Sequence, residues 1–102
     1  MAHYELTEAA DEDFENLFEL FVYWIDTFGL NQALQYQAGM TNHFTELAEQ
    51  PSHYPAVDYL RKGYRRSVFG SHSIYYRVEH EYIIIIRILG RQDPISALKQ
   101  FF

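Results

Sequence analysis

The residues with the most chemical reach are concentrated in LRKGYRRSVFGSHSIYYRVEHEYIIIIRILGRQD, Leu60 to Asp93, which carries seven of the chain's eight Lys and Arg residues. Guanidinium groups are planar forks that match carboxylate and phosphate oxygens. Tyrosines and isoleucines alternate with them. In HSIYYRV, His72, Ile74, Tyr76 and Val78 fall on one side of a strand, and Ser73, Tyr75 and Arg77 on the other. Continuing the same alternation, Tyr82, Ile84, Ile86 and Ile88 oppose Ile83, Ile85, Arg87 and Leu89. Arg65, Arg66, Arg77, Arg87 and Arg91 are therefore expected to line part of one concave, basic surface. The plainer reading of any one of them is an ion pair with acidic residues of the same domain.

His72 stands beside Tyr75, Tyr76 and the arginines, where an imidazole can serve as acid or base. A polar histidine at a strand end is the plainer reading. His3, His43, His53, His72 and His80 are scattered over separate segments without HxH or HExxH spacing, so no metal site is expected. No GxSxG, P-loop or GxGxxG is present, and no cofactor is expected. Without cysteine, disulfides and thiolate chemistry are excluded.

The elements that must position these residues follow from periodicity. HYELT alternates and reads as a short first strand, His3 to Leu6. Thr7 is placed to cap a helix, and the acidic run that follows complements the helix dipole. Phe14, Leu17, Phe18, Phe21, Val22, Ile25 and Phe28 recur at spacings of three and four, which predicts an amphipathic helix over 11–28 ended by Gly29. Tyr23 and Trp24 widen its apolar face, either as extra core or as anchors for a partner. A second helix is expected from near Asn31 to before Pro51, with Ala33, Tyr36, Met40, Phe44, Leu47 and Ala48 as its stripe. The two form an antiparallel hairpin. PSHYPAVDYLRKG is a connecting loop. Strands over 64–68, 71–78 and 82–89 complete an antiparallel meander, and YIIIIRIL, apolar on both sides, is a central or covered strand. The expected class is α+β in the order β-α-α-β-β-β, one domain spanning 1–102, with the helical hairpin on one sheet face and the arginines on the other.

The net charge of −6 conceals a division. Residues 1–50 hold ten acidic residues and no Lys or Arg, whereas 51–102 hold four acidic and eight basic residues. Such asymmetry points to a partner surface, while the acidic total argues against strong direct nucleic-acid binding. No apolar run reaches the roughly 20 residues of a bilayer span, and the N-terminus lacks a signal-peptide pattern, so no membrane partner and a cytoplasmic location are expected.

YELT, QALQYQAGMTNHFTELAEQP, LRKGYRRSVFGSHSIYYRV and IIIIRILGRQD, in this order and spacing, resemble the ParE branch of the RelE/ParE toxin superfamily, over Tyr4 to Leu98. The resemblance implies the same strand, helical hairpin and sheet. It further implies a toxin of a bacterial type II toxin–antitoxin pair, acting in plasmid or chromosome maintenance and neutralised by a cognate antitoxin. ParE-like members poison DNA gyrase, whereas RelE-like members cut messenger RNA at the ribosome. For the gyrase reading, Arg65, Arg66, Arg87, Arg91 and Asp93 are the expected target contacts, with no catalytic residue. For the nuclease reading, Arg65 and Arg66 serve the phosphate and His72 or Tyr75 the proton transfer. An inactive relative retained as an antitoxin-binding module is a third class. Phe21, Tyr23, Trp24 and Arg77 are the expected antitoxin contacts. A sheet edge and an aromatic-rich helix leave room for a homodimer. The chain departs from the family pattern at Gly90, where a histidine is usual, and in a first helix about one turn longer. The ending, Gly90-Arg91-Gln92-Asp93, lacks the base that a nuclease tail usually brings, which favours the gyrase branch.

Overall fold

The computed structural model describes residues 3–23 and 27–99, with the side chains of residues 18–30 outside the description. Its elements are β1 (Tyr4–Leu6), α1 (Glu8–Tyr23), α2 (Thr27–Glu49), β2 (Tyr64–Phe69), β3 (His72–Val78), β4 (Ile83–Leu89) and α3 (Pro94–Leu98). The β-α-α-β-β-β order matches the expectation, and α3 is an addition to it. Thr7 caps α1: its Oγ1 accepts from Ala10 N at 3.0 Å. Gly29 does not end α1 but lies inside α2, which begins at Thr27. A glycine among helix-compatible neighbours is tolerated at a cost of about 1 kcal/mol, so it is not by itself a stop.

The sheet order is β1-β4-β3-β2. β2, β3 and β4 form the antiparallel meander, but β1 pairs with β4 in parallel, Tyr4 opposite Ile83, so the sheet is mixed. β4 is central because it is apolar on both faces and needs a neighbour on each side. β3 serves one edge and β1 the other. Between β3 and β4 the register slips, with Tyr75 opposite Arg87 and Tyr76 opposite Ile85. Two residues of β4 thus span one step of β3, which is a β-bulge. The bulge overturns the strict alternation expected for β4. Ile83, Ile85 and Ile88 join one core cluster, while Ile86 and Leu89 join the other.

The first cluster lies under the hairpin: Ala10, Met40, Phe44 and Leu47 pack on Ile74, Tyr76, Ile83, Ile85 and Ile88. The predicted stripe of α2 is buried as expected at Ala33, Met40, Phe44 and Leu47. Burial pushes the Tyr76 hydroxyl up to about 12, and it donates to Pro51 O at 2.8 Å. The opposite face is not bare. Val57 and Leu60 from the 51–63 connection and Leu98 from α3 cover Tyr64, Tyr75, Ile86 and Leu89 there. α2 also approaches β2 closely at Gly39, where a Cβ would stand 2.9 Å from the Phe69 ring.

Candidate functional site

The arginines do not share one surface. Paired residues on adjacent strands project to the same side. Arg65 is paired with Tyr76 and faces the hairpin side, where its Nη1 donates to Tyr54 O at 2.6 Å. Arg66 is paired with Tyr75 and faces the other way, its Nε donating to Ser73 Oγ at 3.0 Å. Adjacent strand residues must point oppositely, so the expected single basic face is replaced by two. Arg77 shares the side of Arg66 and pairs with Glu79 at 2.8 Å.

Arg87 lies inside the domain. Its Nε and Nη2 donate to the two Asp13 oxygens at 2.6 and 2.8 Å, and its Nη1 donates to Ala97 O at 3.2 Å. Asp13 also accepts from Ile88 N at 3.0 Å, so one carboxylate ties α1 to β4. The hydrogen bond and charge of Asp13 raise the Arg87 pKa further above its ordinary value. With its fork so engaged and only 18% of its side chain exposed, Arg87 is a structural residue rather than an open target contact.

Beside this pair opens a cleft of about 260 Å³, lined by Asp13, Asn16, Leu17, His72, Ile88, Gly90, Arg91 and Gln92. It lies where α1, the start of β3 and the β4–α3 connection meet. Gln92 Oε1 accepts from Gly90 N at 2.7 Å and shapes that connection. Asp93 caps α3, accepting from Ile95 N at 3.3 Å and Ser96 Oγ at 3.0 Å. Its carboxylate thus has a local task beside the target role expected of it. Arg91 is exposed.

His72 forms one wall of the cleft. Tyr36 Oη donates to Phe69 O at 3.0 Å and lies 2.7 Å from His72 Nδ1. A hydroxyl has one proton, and giving it to Phe69 O assigns Nδ1–H as the donor to the tyrosine oxygen and Nε2 as an acceptor. Burial lowers the His72 pKa below 6.5, which keeps the ring neutral near pH 7. Nε2 is adjacent to Gly90, where an added Cβ would stand 3.7 Å away. Tyr36 figured in the sequence only as part of an apolar stripe. Its placement against His72, 36 residues away, has no local signature.

The residues named for nuclease chemistry are dispersed. Tyr75 is 4% exposed in the second core cluster. Arg65 and His72 share a face, but Arg65 is opposite Tyr76, four residues along β3 from His72, roughly 13 Å. Arg66 projects from the other face. A second buried pair, His43 Nε2 and Ser67 Oγ at 2.7 Å, joins α2 to β2, with Glu46 3.4 Å from His43 Nδ1. Both are buried, His43 at 9% and Ser67 at 1% exposure, so this group cross-links the core. Phe21, Tyr23 and Trp24 lie outside the described side chains. Among the described residues no three His, Cys, Asp or Glu converge, and no helix is long and apolar enough to cross a membrane.

A mixed four-stranded sheet under a helical hairpin, with a polar cleft at one end, defines a small α+β fold. The family described as "ParE toxin of type II toxin-antitoxin system, parDE" matches residues 4–94. The chain is similar to "Toxin ParE1" of Mycobacterium tuberculosis (strain H37Rv), 33% identical over 96 residues, 93% of this chain and 95% of the relative. It is equally similar to "Toxin ParE1" of Caulobacter vibrioides, 33% identical over 97 residues, 95% of this chain and 97% of the relative. Its fold is that of a chain in the solved "Chromosomal ParDE TA system from P. aeruginosa", with a TM-score of 0.72, 19% identity and coverage of 90% and 98%. The chain belongs to the ParE toxin family of type II toxin–antitoxin systems.

Proposed function

We propose that this protein acts in the cytoplasm as a toxin that inhibits DNA gyrase and is neutralised by a cognate antitoxin. Family membership supports the toxin role. The observation that favours gyrase over messenger RNA is the dispersal of Arg65, Arg66, His72 and Tyr75. RNA cleavage needs a base at the attacking hydroxyl and cations at the same phosphate, and these four residues do not converge. Arg91 is the leading target contact, with Arg66 and Arg65 as further candidates. Asp93 contributes by holding the start of α3, and Arg87 by holding the fold. Phe21, Tyr23 and Trp24, with Arg77, are the proposed antitoxin contacts.

The test is a purified gyrase assay with antitoxin-free protein, scoring supercoiling and trapped cleaved DNA, beside a ribosome-programmed mRNA cleavage assay. Cleaved DNA with intact mRNA supports the proposal. Cut mRNA with intact DNA overturns it. Trp24 fluorescence unchanged by saturating antitoxin would remove the proposed contact at the end of the first helix.

A further inference from the structure

We propose that the cleft between α1 and the β4–α3 connection is a binding site for a phosphate monoester group, held by Arg91 and by the Asn16 and Gln92 amides, with one proton shared between the ligand and His72 Nε2. This goes beyond gyrase inhibition and has only His72 in common with the nuclease reading.

The argument begins with what the cleft presents. Arg91 supplies a cation with no protein partner among the described residues. Gln92 uses its Oε1 on Gly90 N, so its amide N–H groups remain to donate. Asn16 offers a second exposed amide on the facing helix. These are donors for an oxyanion. His72 is the exception among them. With the Tyr36 hydroxyl donating to Phe69 O, Nδ1 is assigned the ring proton and Nε2 is the acceptor beside the cleft. The charged and titratable groups around it are Tyr36 on α2, Asp13 on α1 and Arg91 after β4, and Asp13 is matched by Arg87.

An acceptor among donors selects the ligand. A carboxylate or a phosphodiester has no proton at neutral pH, so its oxygens would face the Nε2 lone pair unfavourably. A phosphate monoester, with a second pKa of about 6, still keeps that proton in roughly one molecule in ten at pH 7, far more often than a carboxylate or a phosphodiester does. It can donate its own O–H to Nε2, or release that proton to make an imidazolium beside the anion. Either form satisfies every group in the cleft. Gly90 leaves the space next to Nε2 open, since it has no side chain to fill it.

The experiment follows the ring nitrogens of His72 and the Arg91 side chain by NMR, in the full ¹⁵N-labelled chain at pH 7 and constant ionic strength. Inorganic phosphate is titrated first, then sulfate, which has the same tetrahedral shape but no proton at pH 7. Saturable shifts at both residues, with sulfate weaker by about tenfold, are expected from the loss of one charge-assisted hydrogen bond. Equal responses to the two ions, or no shift at His72, would overturn the proposal. Gly90→Ala, which sets a methyl group 3.7 Å from Nε2 at ordinary contact distance, is expected to weaken phosphate binding with an unchanged melting temperature. Undiminished phosphate binding by this variant would also count against the site. A nucleoside monophosphate that binds like inorganic phosphate supports a small-molecule source. A 5′-phosphorylated oligonucleotide that binds more tightly than its unphosphorylated twin supports a nucleic-acid end.

Discussion

Arg87 and Arg91 are four residues apart, yet Arg87 is bidentate to Asp13 while Arg91 is exposed at the cleft. Asp13→Ala strands a largely covered guanidinium and frees the Ile88 amide. Its expected cost is about 3 kcal/mol, read by urea denaturation. Arg91→Ala is expected to leave stability unchanged and to reduce toxicity. A folded, fully toxic Arg91→Ala protein would remove Arg91 from the target surface. His72 makes a pH prediction. Its folded pKa lies below the unfolded 6.5, so the unfolded chain takes up the proton first as pH falls. Its contribution to stability is present above about 6.5 and is lost as pH drops through the lower folded value. Denaturation curves between pH 5 and 7 are therefore expected to show a shallower pH dependence in His72→Gln than in the parent protein.

Among the elements, the β2–β3 hairpin and the β4 bulge govern the site. Gly70 turns the hairpin with φ +59°, and a Cβ there would stand 2.6 Å from Tyr36 Oη. Gly70→Ala is expected to cost about 1 to 2 kcal/mol in backbone strain and to push Tyr36 off His72. The loss would appear as a lower melting temperature and altered His72 ring resonances. The bulge at Tyr75/Tyr76 breaks the β4 alternation and sets Arg87 opposite Tyr75 while Ile88 keeps its place under the hairpin. The His43–Ser67 bond joins α2 to β2 inside the core. Ser67→Ala is expected to cost about 1 to 2 kcal/mol, because it leaves the His43 Nε2 group without its partner. An unchanged unfolding midpoint would show that the bond contributes nothing.

At the scale of the whole molecule, sheet order separates the charge. α1, with its acidic first turns, packs on β4 and β1. Arg65 and Arg66 are on β2 at the opposite edge, with Arg61 and Lys62 just before it and Arg77 on the neighbouring strand. The Arg87–Asp13 ion pair bridges the acidic and basic halves. A polarised surface of this kind steers a charged partner. Association with an antitoxin that is acidic where it binds is expected to slow by about tenfold between low and moderate salt. A rate independent of salt in stopped-flow would show that the basic edge does not steer it.

Much was legible in the residues alone. Period-2 and period-3.6 patterns are local properties of a chain, so the helices, the meander, the central β4 and the Thr7 cap could be read directly, as could the charge division and the family resemblance. Helix ends were less legible, because Gly29 is compatible with a helix that begins at Thr27. Tertiary packing decided the parallel pairing of β1, the bulge and the covering of the second sheet face by Val57, Leu60 and Leu98. It also decided which arginine became structural. Asp13 and Arg87 are 74 residues apart, and Tyr36 and His72 are 36 apart. No periodicity relates such pairs; they meet only because close packing of the hairpin on a twisted, bulged sheet brings these polar groups within reach of each other.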